Sequence, residues 1–420
     1  MRPRPELGKS RIPLLVVYAW VFIVAVVQSS FTTLLSPFLS VELGFSEATV
    51  GIAVSLTALV AFVFRLPIGG LYDSGRGRSM LVSGTVLCAT SLVLAGLTSA
   101  SRLGLAGALF CWGLGWSIAT TVEMALVLAW KPTDMARSVA VSWYAGLAGL
   151  GHISSGAAGA VADRLGFQET FVMLAILLVV LIAVALPFFP ERSREAQSGR
   201  PRIAEPFKPR KVASSFDIRG LPMALWASFL VMFQINFITG MVKTFQPILS
   251  LAAGLPLPQV TILHSLTGLG STTVRFTSGG FLRKRDADIG RLTTPLVILG
   301  VAAAVFIPPF QGSFWWQVPL FLSIGVSRGL LRVTSTSSAF AVIPEDQHHE
   351  HGRYAAVLHS GLDLGRVVGP ALAGGVAHFT GLSAMFQGLP LALFLMYLIL
   401  SRRANVSDAR YGTSPGSKAS

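Results

Sequence analysis

Long apolar runs separated by short polar segments pattern this chain from near residue 14 to residue 401. Twelve runs are centred near residues 25, 60, 89, 116, 150, 180, 235, 270, 301, 330, 366 and 393. Each is close to the ~20 helical residues that cross a hydrocarbon layer. The pattern therefore predicts an all-α membrane protein of twelve transmembrane helices, spans one to twelve. Between Pro190 and Gly220 hydrophobicity collapses and Pro, Ser, Arg and Glu dominate, which reads as an exposed linker. The expected organisation is a six-helix bundle over 1–189, a cytoplasmic linker over 190–220, a second six-helix bundle over 221–401 and a cytoplasmic tail over 402–420.

The two predicted bundles repeat one another. Pro37 to Gly70 aligns without a gap on Pro247 to Gly280, about 210 residues on, pairing Pro37/Pro247, Gly44/Gly254, Ser55/Ser265, Thr57/Thr267 and Arg65/Arg275. Gly69-Gly70 falls on Gly279-Gly280, and Gly146 to Gly166 falls on Gly361 to Gly381 at an offset of about 215. Repeats in the same orientation fit two pseudo-symmetric halves related by an axis along the membrane normal.

Composition supports the membrane reading, since 52% of the 420 residues are hydrophobic and only 12% charged. A soluble chain of this length needs far more polar surface. The net charge of +14 is distributed by loop. With the N-terminus inside, the predicted outer loops hold only Arg102 and Arg164, and the remaining loop bases fall on the cytoplasmic side, as the positive-inside rule requires. Clusters such as Arg283-Lys284-Arg285 accordingly read as topology signals and not as a nucleic-acid surface. The basic N-terminus precedes an apolar run that extends to about Leu35 without a small-residue cleavage site, so it reads as a retained first helix. Both termini are expected in the cytoplasm, and the expected location is a plasma or bacterial inner membrane. Cys88 and Cys111 fall within predicted helices and imply neither a disulfide nor a metal.

Spans three, six, nine and twelve carry no internal charge. Others do: Arg65 on span two, Glu123 on four, Lys243 on seven, Arg275 on eight, Arg328 and Arg332 on ten, Asp363 and Arg366 on eleven. A charge at the bilayer centre costs about 2.5–3.5 kcal/mol or more. The charge-free spans are thus expected to face lipid, and the others a shared wet interior.

The segment Gly69, Gly70, Leu71, Tyr72, Asp73, Ser74, Gly75, Arg76, Gly77, Arg78 resembles the loop between helices two and three of the major facilitator superfamily. That family's pattern is Gly-x-x-x-Asp-(Arg/Lys)-x-Gly-(Arg/Lys)-(Arg/Lys). Here Ser74 replaces the first base, and one extra residue separates Asp73 from Gly77-Arg78. In the second half Arg283 stands where the aspartate would be. The resemblance implies alternating access, with Gly69, Gly70, Asp73, Arg76 and Arg78 gating the cytoplasmic side against span eleven; the competing use of Arg76 and Arg78 is as topology charges. Span eleven carries Gly365, Gly369 and Pro370 with Gly374 and Gly375, a pattern similar to one that exporters of the superfamily place in helix five. Span five lacks the proline, which leaves the direction of transport open. Bending and close packing are both open uses for these glycines.

Arg65 and Arg275 each sit about 12 Å of helical rise from the cytoplasmic end. Two guanidinium groups related by pseudo-symmetry suit a small anion between them, each offering a bidentate pair of donors. This placement resembles the arginines on helices two and eight of nitrate/nitrite porters and organic-anion carriers in the superfamily. Tying helix ends to carbonyls or acids is the competing use. Lys243 and Arg328 add positive charge to the expected substrate site, and Gln28, Gln234 and Asn236 are expected to line it. Glu123 is the first candidate for a coupling proton, with partnership to Arg65 or Arg366 as its alternative. Asp363 is the second, although it stands three residues from Arg366 and the two can neutralise each other.

His348, His349, Glu350 and His351 form a compact cluster without a second ligand set of metal spacing, so no metal or cofactor is expected. The chain shows neither a phosphate-cradling loop nor a nucleophile triad, and it reads as a transporter and not an enzyme. The resulting expectation is a monomeric secondary transporter, proton-coupled, for a small anionic solute. The alternatives are proton-driven efflux of drugs or amphipathic compounds and, from another class, a transport-inactive receptor or scaffold.

Overall fold

Hydrocarbon offers no water to backbone N–H and C=O groups, so each apolar run must close its own hydrogen bonds as helix. In the computed structural model, which describes residues 12–72, 77–97, 101–130, 137–188, 223–281, 309–341 and 351–411, the regular elements are all helical. The first half contains α1 (Ile12–Pro37), α2 (Glu47–Tyr72), α3 (Gly77–Leu97), α4 (Arg102–Trp130), α5 (Arg137–Ser154), α6 (Gly156–Leu165) and α7 (Phe167–Ala185). The second contains α8 (Met223–Ala252), α9 (Leu257–Phe281), α10 (Phe314–Ala341), α11 (His351–Thr380) and α12 (Leu382–Tyr411). Helices α5 and α6 are one expected span broken at Ser155. The linker, the expected ninth span near residue 301, Asp73, Arg76 and His348 to Glu350 lie outside the described residues, so the expected total of twelve crossings is not established.

Among the described residues six helical segments are long and apolar enough to cross a membrane: Leu14–Glu42, Glu47–Arg65, Gly77–Leu97, Arg102–Met124, Phe167–Phe188 and Ser228–Ala252. All but the last lie in the first half. Helices α9, α10 and α11 miss the criterion because they carry hydroxyls, glycines and cations where a lipid-facing helix carries Leu and Val. The segment Phe167–Phe188, with mean hydropathy 3.1, is the opposite case. On α7, Met173, Ile176, Val180 and Val184 are exposed while Phe171, Leu174 and Leu178 are buried. An exposed apolar stripe at three- and four-residue spacing is a surface for acyl chains.

The repeat is visible in the backbone. Among the described residues the glycines with positive φ are Gly44 (64°), Gly166 (99°), Gly254 (85°) and Gly381 (83°). They form two pairs at the sequence offsets, Gly44 with Gly254 and Gly166 with Gly381. Each turns the chain from one helix into the next in a conformation that disfavours a Cβ.

Each half has its own core. In the first, Phe31 packs on Trp112 at 4.1 Å between ring centroids and edge-on to Phe171 at 5.5 Å. In the second, Phe237, Phe245, Phe321 and Phe386 are fully buried. A buried amide network joins α8 to α10: Gln246 Nε2 donates to Gln317 Oε1 at 2.8 Å, and Gln317 Nε2 donates to the carbonyl of Gln311 at 2.8 Å.

The halves meet along α2 with α11 and along α5 and α6 with α9. At the first seam a Cβ on Gly51 would strike the Pro370 carbonyl, and Gly374 lies against Gly51 Cα. At the second, the Thr261 hydroxyl donates to the Gly156 carbonyl at 2.9 Å. Gly365 and Gly369 pack elsewhere. They lie on the α8 backbone at Phe233 and Phe237, inside the second half, whereas Pro370 and Gly374 reach the first.

Candidate functional site

Eight helices converge between the halves on a cavity of about 230 Å³, α5 contributing Gly149 and His152. Helix α2 presents Val54, Thr57, Ala58, Ala61 and Arg65, and α9 presents His264, Thr267, Gly268, Ser271, Thr272 and Arg275. Both sets follow the three- and four-residue spacing of one helical face. They are also repeat partners: 54, 57, 58, 61 and 65 each map by about 210 residues onto 264, 267, 268, 271 and 275. Helix α8 adds a stripe of Asn236, Thr239, Gly240, Lys243 and Thr244, α1 adds Gln28, Ser29 and Thr32, and α11 adds Asp363, Arg366 and Pro370.

Helices α4 and α10 supply Trp112, Trp116, Arg328 and Arg332. These two helices are also in register. A Cβ on Gly113 would strike the carbonyl of Thr57, and one on Gly325 would strike the carbonyl of Thr267, which are repeat partners. Trp116 follows Gly113 by three residues, as Arg328 follows Gly325. An indole in one half therefore occupies the place of a guanidinium in the other.

The cavity is strongly cationic. Among the described residues six Lys and Arg side chains line it, Arg65, Lys243, Arg275, Arg328, Arg332 and Arg366, against the single carboxylate of Asp363. Arg65 donates to Asp363 Oδ2 at 2.9 Å across the seam between α2 and α11. Arg366 stands 3.8 Å from Asp363 Oδ1 on the same helix. One carboxylate thus serves two guanidinium groups. Among the described residues Lys243 and Arg328 have neither a carboxylate within 4.0 Å nor a hydrogen bond. Confined cations without counter-charges repel one another and lose hydration, a cost that an anion between them offsets.

The expected substrate-site residues separate. Arg65, Arg275, Lys243, Arg328, Gln28 and Asn236 all line the cavity. Asn236 also fastens α8 to α11 by donating to the Leu362 carbonyl at 2.9 Å. Gln234 lies elsewhere: its Nε2 donates to the carbonyl of Leu393 on α12 at 2.7 Å. Two residues turn a helix by about 200°, which carries position 234 away from the face that holds 236. Glu123 is buried and stands off the cavity wall, about two turns beyond Trp116 on α4. Its Oε1 has no hydrogen-bond partner among the described residues, and the carboxylate that meets Arg65 and Arg366 is Asp363. Of the expected gate, Arg78 donates to the Leu186 carbonyl at 3.2 Å, inside the first half.

Trp112 and Trp116 escaped the sequence reading because aromatic residues on an apolar helix are indistinguishable in composition from core or lipid-facing ones. The available signal was their four-residue spacing together with Glu123 farther along the same helix.

The model of the Major Facilitator Superfamily matches residues 17–350. The chain belongs to this superfamily. Its fold is shared with solved transporters of low sequence identity. A bacterial homolog of the human lysosomal transporter Spinster, in an inward-facing and occupied conformation, is 15% identical with a TM-score of 0.68, over 94% of this chain and 92% of that one. The nucleoside transporter NupG is 14% identical with a TM-score of 0.71, over 93% of this chain and 99% of that one. No curated protein matches the chain in sequence. The chain is accordingly an integral, multi-pass membrane protein with a transporter fold.

Proposed function

We propose that this superfamily member is a secondary transporter that carries a small anionic solute by alternating access. The observation that carries the reading is the cavity wall, where among the described residues six Lys and Arg side chains face one carboxylate. A cation or neutral solute would leave that charge uncompensated, whereas an anion accepts charge-assisted hydrogen bonds from it. Lys243 and Arg328 are the first donors in this scheme, with Arg275 beside them and Arg65 shared with Asp363.

The seams at Gly51/Pro370 and Gly156/Thr261 lie toward the helix ends marked by the four turn glycines, the side that the distribution of bases assigns to the exterior. Asp363 and Glu123 are the proposed proton carriers, the first because it links the halves, the second because it is buried without a salt-bridge partner among the described residues. The positive-inside distribution of bases supports a plasma-membrane protein with both termini in the cytoplasm.

Counterflow in reconstituted vesicles tests the reading. Exchange of labelled carboxylates or phosphates, blocked by excess unlabelled anion and indifferent to sugars, is expected. Arg275→Lys keeps the charge but loses the planar fork, and should slow exchange by about tenfold. Exchange of lipophilic cations with no exchange of any anion would overturn the proposal.

A further inference from the structure

The positive charge of the cavity is not spread evenly around it. Five of the six basic side chains come from the second half, and the sixth, Arg65, reaches across to that half's Asp363. The first half supplies both tryptophans together with Val54, Ala58 and Ala61. At equivalent positions of the repeat the pairings are Val54 with His264, Ala58 with Gly268, Ala61 with Ser271 and Trp116 with Arg328. Gln28, Ser29, Thr32, Thr57 and His152 add polar groups to the first half's side, so one fold presents an aromatic wall with few charges opposite a cationic one.

A spherical inorganic anion gains nothing from such division. Its charge is satisfied best by donors on several sides, and an indole wall opposite the guanidinium groups leaves part of its hydration shell unreplaced. A solute with an anionic end and a flat apolar body matches both walls, as ring faces stack and apolar surface leaves water. We propose that the substrate is an aromatic organic anion, its carboxylate or phosphate head held by Lys243 and Arg328 and its ring laid against Trp116 on the wall of the first half. The inference rests on the anion-transport reading and narrows it to a chemical class.

Counterflow with benzoate, phenyl phosphate, acetate, inorganic phosphate and nitrate tests the proposal, with uridine and tetraphenylphosphonium as controls. Aryl anions are expected to exchange at least about tenfold faster than acetate or inorganic phosphate, the discrimination an apolar subsite provides. Trp116→Ala should bring the benzoate-to-acetate ratio down to about one, and Trp116→Phe should hold it near its original value because a ring is kept. Thermal stabilisation of the purified protein by the same compounds reads the same preference without turnover, so a variant that is slow but folded remains informative. Acetate, phosphate or nitrate matching the aryl anions in both measurements overturns this inference and leaves anion transport standing. Uridine or tetraphenylphosphonium exchanging while every anion fails overturns both.

Discussion

The two halves share a backbone plan but give the cavity almost opposite chemistry. Their turn glycines pair as Gly44 with Gly254 and Gly166 with Gly381, and the stripe on α2 maps position by position onto that on α9. Where the conformation demands glycine, the halves agree. Among side chains that face the cavity they agree at Thr57/Thr267 and Arg65/Arg275 and differ elsewhere: Ala61 answers Ser271, and Trp116 answers Arg328. The same contrast appears in hydropathy, because most of the described segments apolar enough to cross a membrane belong to the first half. A duplicated scaffold fixes where side chains meet solute. It leaves open what those side chains are.

The sharpest way to break this comparison is to neutralise the cationic wall. Arg328→Gln and Lys243→Gln each remove a charge without a salt-bridge partner among the described residues, and each should lower anion exchange by about a hundredfold, the loss of one strong charge-assisted contact. Gln28→Ala on the opposite half should cost about tenfold or less, the scale of one neutral hydrogen bond. Equal effects from the two walls, measured by initial counterflow rates, would show that the asymmetry has no functional weight.

Much of this plan was legible in the chain itself. The apolar runs located the helices, and the gap-free match around Arg65 and Arg275 set the halves in register, because both signals are local or pairwise in sequence. Side-chain azimuth was harder to read. Gln234 and Asn236 look alike on a helix read as text, yet a turn of about 200° sends them to different neighbours. The partner of Arg65 was likewise hidden, since Asp363 lies in the other half and reaches it only through packing of α2 on α11. The tryptophans were the largest omission, for apolar residues announce burial without saying what they face.

Linkage between the halves offers the next test. Asp363→Ala releases Arg65 and Arg366, and Arg65→Ala leaves Asp363 with Arg366 alone; each change removes the ion pair that crosses the seam. Either alone should slow exchange by roughly thirtyfold, and the double variant should be less impaired than the product of the two, by a coupling of about 1–3 kcal/mol. Strictly additive effects in this double-mutant cycle would mean the ion pair does not join the halves during transport. Glu123→Gln probes the first half instead. Accumulation driven by a proton gradient should fall by about tenfold or more, while exchange without a gradient stays within about threefold. Unchanged accumulation would assign coupling to Asp363 or to another group.

The smallest expected effect separates scaffold from site within the second half. Gln317 is fully buried and lies off the cavity, bridging Gln246 on α8 to the carbonyls of Phe310 and Gln311 in the turn before α10. Gln317→Leu removes these bonds and leaves the Gln246 amide its bond to the Ser250 hydroxyl. Hydrogen bonds between membrane helices are worth about 0.6 kcal/mol on average and up to about 1.7, so the melting temperature in detergent should fall by about 2–4 °C. Because α8 also carries Lys243, a shift in its position would surface as altered anion exchange. Exchange within about twofold of the original is the expected result, with the stability loss as the only strong readout. A large fall in exchange with little change in melting would instead show that the amide network positions Lys243, extending the cationic wall beyond the residues that touch the cavity.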